Sequence, residues 1–214
     1  MSFHIDSDSL TERQQAVLDA TLSVMAEEGD ALTMTSVSRR ASCSKETLYK
    51  WFGDRDGLLT ATVRWQASKV QMPPVDRAKL DRAALVLALE QFAANWLKVI
   101  CSKTSIALNR MAVSHAASGK DNLGSIVLRN GRYAMAQRLQ PMLEAARDAG
   151  LLVFDDAEDA FRSFFGLVLR DVQIRLLLGD AITLSGAQIA EEARRATGQF
   201  MALYGAANQT KREG

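Results

Sequence analysis

The stretch "LTMTSVSRRASCSKETLYKWFGDRDGLL", Leu32 to Leu59, decides the fold. Tyr49, Trp51 and Phe52 fill three of four consecutive positions there, in a chain of 214 residues with fourteen aromatics. Arg39, Arg40, Lys45 and Lys50 stand close by. A buried core takes rings and rejects charges, and a solvated face does the reverse. Both sets fit together only if they occupy different sectors of one regular element. With about 100° per residue, a helix beginning at Lys45 puts Leu48 and Phe52 on one side. Glu46, Thr47 and Lys50 then point the opposite way, with Tyr49 and Trp51 flanking that outer face.

The neighbouring sequence punctuates this helix well. Ser44 reads as its N-cap, and Gly53-Asp54 ends it. Thr33 caps a short helix through Val37 to Ala41. Thr11 with Gln14 reads as a capping box that opens a first helix, running through Val17, Leu18, Thr21, Val24 and Met25 to Gly29. Asp54 caps a fourth helix, from Arg55 past Trp65 toward Val70. The second and third helices, joined by the tight segment Ser42–Ser44, make a helix-turn-helix candidate. A short helix that is apolar behind and hydrogen-bonding in front fits a DNA major groove, its flanking rings able to touch phosphate or sugar. The Ser44 cap also leaves N–H groups suited to a phosphate oxygen.

Charge is compatible with this without deciding it. The net charge is +1. Residues 1–32 hold Arg13 against seven carboxylates, whereas residues 33–52 hold Arg39, Arg40, Lys45 and Lys50 against Glu46 alone. Such a local positive patch is a footprint for an anion, and equally the ordinary composition of a solvated helix face.

Composition points to an all-α protein. Apolar residues make up 48% of the chain, aromatics 7%, and there are only three prolines. Cys43 and Cys101 are too few for a disulfide framework, which suits a reducing cytoplasm. The opening "MSFHIDSDSL" has neither a basic nor an apolar export region. The apolar run "FFGLVLRDVQIRLLL", Phe164–Leu178, is broken by Arg170, Asp171, Gln173 and Arg175, so no membrane partner is expected from it. "MPP", Met72–Pro74, cannot continue a helix and sets a boundary between domains 1–72 and 73–214.

Past that boundary, Leu85, Leu89, Phe92, Trp96 and Val99 keep one helical face. A further helix runs from Ile106 to Ala117 and breaks at "SGKDN". Leu128, Arg132, Met135, Leu139 and Met142 keep helical spacing up to Gly150. A single penultimate helix is expected to reach Gly179, with acids at its start and arginines later. Ser185 and Gln188 form another capping box, for a last helix ending near Tyr204. The tail "GAANQTKREG" is expected to fray.

The run Leu32–Leu59 resembles the N-terminal domain of the TetR family of bacterial transcription regulators. In that family a capping Thr opens helix two, an Ala-Gly-Val-Ser-type turn follows, and a Thr-Leu/Ile-Tyr-x-x-Phe recognition helix comes next. Here these fall on Thr33, on Ala41-Ser42-Cys43-Ser44, and on Thr47-Leu48-Tyr49 with Phe52; Arg55 stands where the family has Lys. The resemblance implies that Thr33, Thr47, Tyr49, Trp51 and Arg55 hold the DNA backbone. It implies that Thr35, Lys45, Glu46 and Lys50 face base edges. Ser42 replaces the usual Gly, at a cost of about 1 kcal/mol if the backbone is left-handed there. Cys43 replaces a small aliphatic; a buried small hydrophobe and a redox switch are the two readings of it.

"RNGRYAMAQRLQPMLEAARDAGLL", Arg129–Leu152, and "FFGLVLRDVQIRLLLGD", Phe164–Asp180, resemble the C-terminal domain of AefR-type members of the same family. This implies a helical bundle that forms a homodimer through its last two helices. The family resemblance also implies a small-molecule effector that weakens binding to an operator in double-stranded DNA. Phe92, Trp96, Met111, Met135, Phe161 and Phe165 are candidate apolar lining for such a pocket, or plain core. His115 and Arg132 are polar interruptions of apolar faces: paired structurally, or entering a cavity to meet an anionic or hydrogen-bonding ligand. An alternative is a dimeric DNA-binding regulator with no inducer, controlled by a protein partner or by cysteine oxidation.

Enzyme chemistry has no foothold. There is no Gly-rich phosphate loop, no nucleophile elbow and no His-Glu-x-x-His pair. His4 and His115 are far apart, and two cysteines give no zinc spacing. No catalytic residue, metal or cofactor is expected.

Overall fold

A computed structural model describes residues 10–29, 32–76, 79–118 and 122–206. Helices α1 (Glu12–Glu28), α2 (Met34–Arg40), α3 (Lys45–Phe52) and α4 (Arg55–Ser68) come first. Then follow α5 (Arg82–Ile100), α6 (Lys103–Ser118), α7 (Leu123–Val127), α8 (Tyr133–Asp148), α9 (Ala157–Leu169), α10 (Val172–Leu177) and α11 (Gly186–Tyr204). Among the described residues there is no strand, only an isolated bridge between Leu152 and Gly205.

The local start signals work as read. Thr11 with Gln14, Thr33 with Ser36 and Ser185 with Gln188 each form a reciprocal capping box. Ser44 caps α3 and Asp54 caps α4 through single side-chain bonds. The first helix stops at Gly29, whose φ of 54° suits a residue without Cβ.

The chain divides into two compact units, residues 1–69 with 102–134 and residues 70–101 with 135–214. The first crossing, after Lys69, lies close to Pro73 and Pro74. The domain division 1–72 and 73–214, however, assigns α6 and α7 to the second domain, and these helices pack with the first unit. The cause is apolar burial: Leu108, Met111, Ala112, Leu123 and Ile126 share one core with Val17, Leu22, Leu48, Phe52 and Leu58. In the second unit α5 lies against α11 and α9. Helix α5 is long and apolar enough to cross a membrane, yet Leu85, Leu89, Phe92, Ala93, Trp96 and Leu97 are its buried core face.

Three expectations change. The stripe from Leu128 to Met142 is not one α-helical face, because Leu128–Arg132 is a π-turn between α7 and α8. The Tyr133 N–H reaches back five residues to the Leu128 carbonyl, and Leu128 is left 50% exposed. The penultimate helix is two helices, broken where Arg170 adopts φ 45°. Arg170 and Asp171 are therefore exposed corner residues, and Asp171 and Asp180 both pair with Arg175. Finally, the start of the tail is held: the Ala206 N–H donates to Leu151 O at 3.2 Å. The remaining tail, the opening residues 1–9 with His4, and the centre of the "SGKDN" break lie outside the described residues.

Candidate nucleic-acid interface

Helix α3 has eight residues and cannot persist alone in water, so tertiary contact must hold it. Leu48 is fully buried and Phe52 is 3% exposed, both in the first unit's core. Burial of two such side chains favours docking by about 1.5–3 kcal/mol each. Trp51 is half-buried and meets Phe52 edge-on, with ring centroids 6.2 Å apart.

Both ends of α3 are fixed by short-range chemistry. The Thr47 N–H donates to Ser44 Oγ at 3.1 Å, and the two hydroxyls lie 3.1 Å apart. At the far end Gly53 takes φ 79° and its N–H donates to Tyr49 O. The Gly57 N–H then donates to Asp54 Oδ1 at 2.8 Å, opening α4. A Cβ on Gly57 would lie 1.9 Å from Phe52 O, so only glycine lets α4 approach α3 this closely.

The opposite side of α3 faces solvent. Lys45, Glu46, Tyr49 and Lys50 are exposed, Tyr49 by 52%, as are Thr33, Thr35 and Ser44 nearby. Thr47, Trp51 and Arg55 are half-buried at its margin. Eight of the ten residues singled out for DNA lie on α3 or at its two flanking corners, and Thr33 and Thr35 lie at the start of α2. Lys45 and Lys50 have no ion pair among the described residues, whereas Arg40 is drawn away to Glu27 of α1. The Glu46 carboxyl is held below its usual range, first by its own backbone N–H and then by the Ser44 hydroxyl. It remains an ionised acceptor at neutral pH. Burial pushes the half-buried Cys43 thiol up, against a smaller pull from Arg13.

One participant escaped the sequence reading. Arg13 of α1 sends Nη2 to Ala41 O and Ser42 O, at 2.8 Å each. The bonds span 28 and 29 residues, so no local pattern signals them.

The eight candidate ligand-lining residues do not gather in one unit. In the second unit Trp96 is the hub of an aromatic cluster, 5.6 Å from Phe92, 5.9 Å from Phe161 and 5.3 Å from Phe165 between ring centroids. Phe92, Trp96, Phe161 and Met135 are buried there and Phe165 is half-buried. Met111 instead belongs to the first unit's core, and His115 is buried on the same helix. Arg132 sits in the π-turn, its guanidinium 5.2 Å from the Tyr133 ring centre.

Comparison with known proteins is concordant. The family model for the C-terminal domain of AefR-like transcriptional repressors matches residues 87–206. A solved TetR transcriptional regulator from Agrobacterium tumefaciens is 41% identical, with a TM-score of 0.78 over 94% of this chain and 99% of that one. The HTH-type transcriptional repressor KstR of Mycolicibacterium smegmatis is 33% identical over 82 residues, 38% of this chain and 37% of the relative. The HTH-type transcriptional regulator BetI of Paraburkholderia phytofirmans is 43% identical over 63 residues, 26% of this chain and 32% of the relative. The chain therefore spans about a third of the length of these curated relatives.

Proposed function

The chain belongs to the TetR family of transcriptional regulators, and from that premise we propose that it is a homodimeric repressor that reads a near-palindromic DNA operator with α3. The observation that carries this is the division of α3 into a docked apolar side and an outward side on which Lys45 and Lys50 have no ion pair among the described residues. Tyr49, Thr33, Thr47, Trp51, Arg55 and the capped start at Ser44 hold phosphate and sugar; Thr35, Lys45, Glu46 and Lys50 address base edges. Lys suits guanine acceptors, and the ionised Glu46 suits a cytosine amino donor. Two-fold symmetry places a second α3 about one helical turn away, which accounts for the palindrome. A chromosomal partner carries with it a cytoplasmic location.

In this reading helices α1 to α4, with α6 and α7 completing their core, form the DNA-binding part, and the second unit carries dimerisation and effector binding. The effector is a small molecule received among Phe92, Trp96, Met135, Phe161 and Phe165 of the second unit. It releases DNA only if it binds one spacing of the two α3 helices better than another. The rings favour an apolar or aromatic compound. The alternative control by cysteine oxidation is disfavoured by burial, which raises the thiol pKa of both Cys43 and Cys101 and keeps them protonated.

The test is selection of a random duplex library on the protein, followed by titration of the selected sequence with and without compounds that raise its melting temperature. Enrichment of a near-palindrome that such a compound releases supports the proposal. Enrichment without any releasing compound leaves the uninduced dimer, and no enrichment removes the DNA reading.

A further inference from the structure

Ser42 is one of two non-glycine residues with positive φ among the described residues, at 50°. It lies in the turn that aims α3. An L-residue reaches that region at a cost, and serine recovers none of it from its own side chain here: no hydrogen bond of the Ser42 hydroxyl is found among the described residues. What holds the turn comes from elsewhere. The Cys43 N–H donates to Ser38 O at 3.0 Å, and the Ser42 N–H makes a longer bond of 3.3 Å to Arg39 O. The Ala41 carbonyl is that of the α2 C-cap, one of the helix-end acceptors without an intrahelical partner, and the Ser42 carbonyl follows it. Both accept from a single nitrogen, Nη2 of Arg13, which has two hydrogens to give. A cation beside the last carbonyls of a helix is also favourably placed in the helix dipole.

We infer that Arg13 is a positioning residue for DNA recognition: its guanidinium pins the left-handed Ser42 turn and thereby sets the angle at which α3 is offered. This inference rests on the DNA-binding reading above. Arg13 acts through the turn and not on the duplex. The same carbonyl pair tied to α1 makes the turn a rigid corner between the core helix and the reading helix.

The experiment uses the full chain as wild type, Arg13→Ala, Ser42→Gly and the double variant, each compared in two ways. Amide hydrogen exchange of the free protein reports the turn through Cys43 N–H. Affinity for the selected operator, measured across a salt series, reports recognition. Arg13→Ala is expected to speed exchange at Cys43 and to weaken operator binding by about tenfold, the usual worth of charge-assisted bonds of this kind. Ser42→Gly is expected to restore both in the Arg13→Ala background, because glycine takes the positive φ without strain. The salt slope should stay as in wild type. If Arg13→Ala alone does not fold, Ser42→Gly with and without it supplies the comparison, and a difference under about twofold in affinity is expected. Unchanged Cys43 exchange in Arg13→Ala overturns the clamp. An affinity loss that glycine does not rescue, with a salt slope reduced by about one contact, makes Arg13 a phosphate ligand instead and also overturns it. A wild type that binds no duplex defeats the DNA reading separately, and exchange still decides whether the clamp exists.

Discussion

At the scale of single residues, the outer side of α3 separates two kinds of loss. Lys45→Ala or Lys50→Ala should cost about 1–3 kcal/mol on the selected operator and relax its base preference at one position. Tyr49→Ala should weaken binding to operator and random duplex alike, because a phosphate or sugar contact carries no sequence information. Anisotropy titrations on both duplexes check this, and equal losses on the two for Lys45→Ala would remove its base-reading role. Cys43 permits a second prediction. Burial raises its pKa, so the thiolate is scarce below the ordinary thiol range and grows only as pH rises beyond it. Alkylation by iodoacetamide at neutral pH should be slow compared with a free thiol, and Cys43→Ala should bind DNA as wild type does.

At the scale of elements, the corners of α3 matter as much as its faces. Gly57→Ala would drive a methyl group onto Phe52 O, a backbone atom that cannot step aside. The strain should destabilise the first unit by about 1–3 kcal/mol, visible as a lowered melting temperature, and weaken DNA binding further by splaying α3 from α4. Arg170, at the corner between α9 and α10, should behave oppositely: Arg170→Gly relieves a positive φ and should raise the melting temperature. These elements also show what a sequence can tell. Thr11, Thr33, Ser44, Asp54 and Ser185 were legible as caps because each partner lies three residues away. The outward sector of α3 was legible because helical geometry alone separates Lys50 from Leu48. The π-turn at Leu128–Arg132 was not, since one extra residue in a turn leaves the apolar spacing on either side intact. Its hold on α4, through Arg64 Nε to Asn130 Oδ1 at 2.9 Å, spans 66 residues. The Arg13 clamp was hidden for the same reason. The break at Arg170 has a visible sign, two adjacent charges within an apolar run, but helical spacing alone does not tell a charged face from a corner.

At the scale of the whole molecule, sharing of apolar surface overrules chain order. Helices α6 and α7 follow α5 in sequence, yet Leu108, Met111, Leu123 and Ile126 complete the core that supports α3. A proline pair marks where a helix must stop and says nothing about which core a later helix joins. Trp96→Ala, which removes the hub of the aromatic cluster, should cost about 3–5 kcal/mol and lower the melting temperature. A conservative Trp96→Phe should fold and shift effector affinity while leaving operator affinity without effector unchanged.

The most direct measurement is selection from a random duplex library, repeated with wild type and with Lys45→Ala plus Lys50→Ala. Wild type should enrich one near-palindrome whose half-sites lie about a helical turn apart or somewhat more, and the double variant should lose or change that preference while remaining folded. Enrichment of no sequence by a folded wild type, or the same sequence enriched equally by the double variant, would contradict a reading role for the outward side of α3.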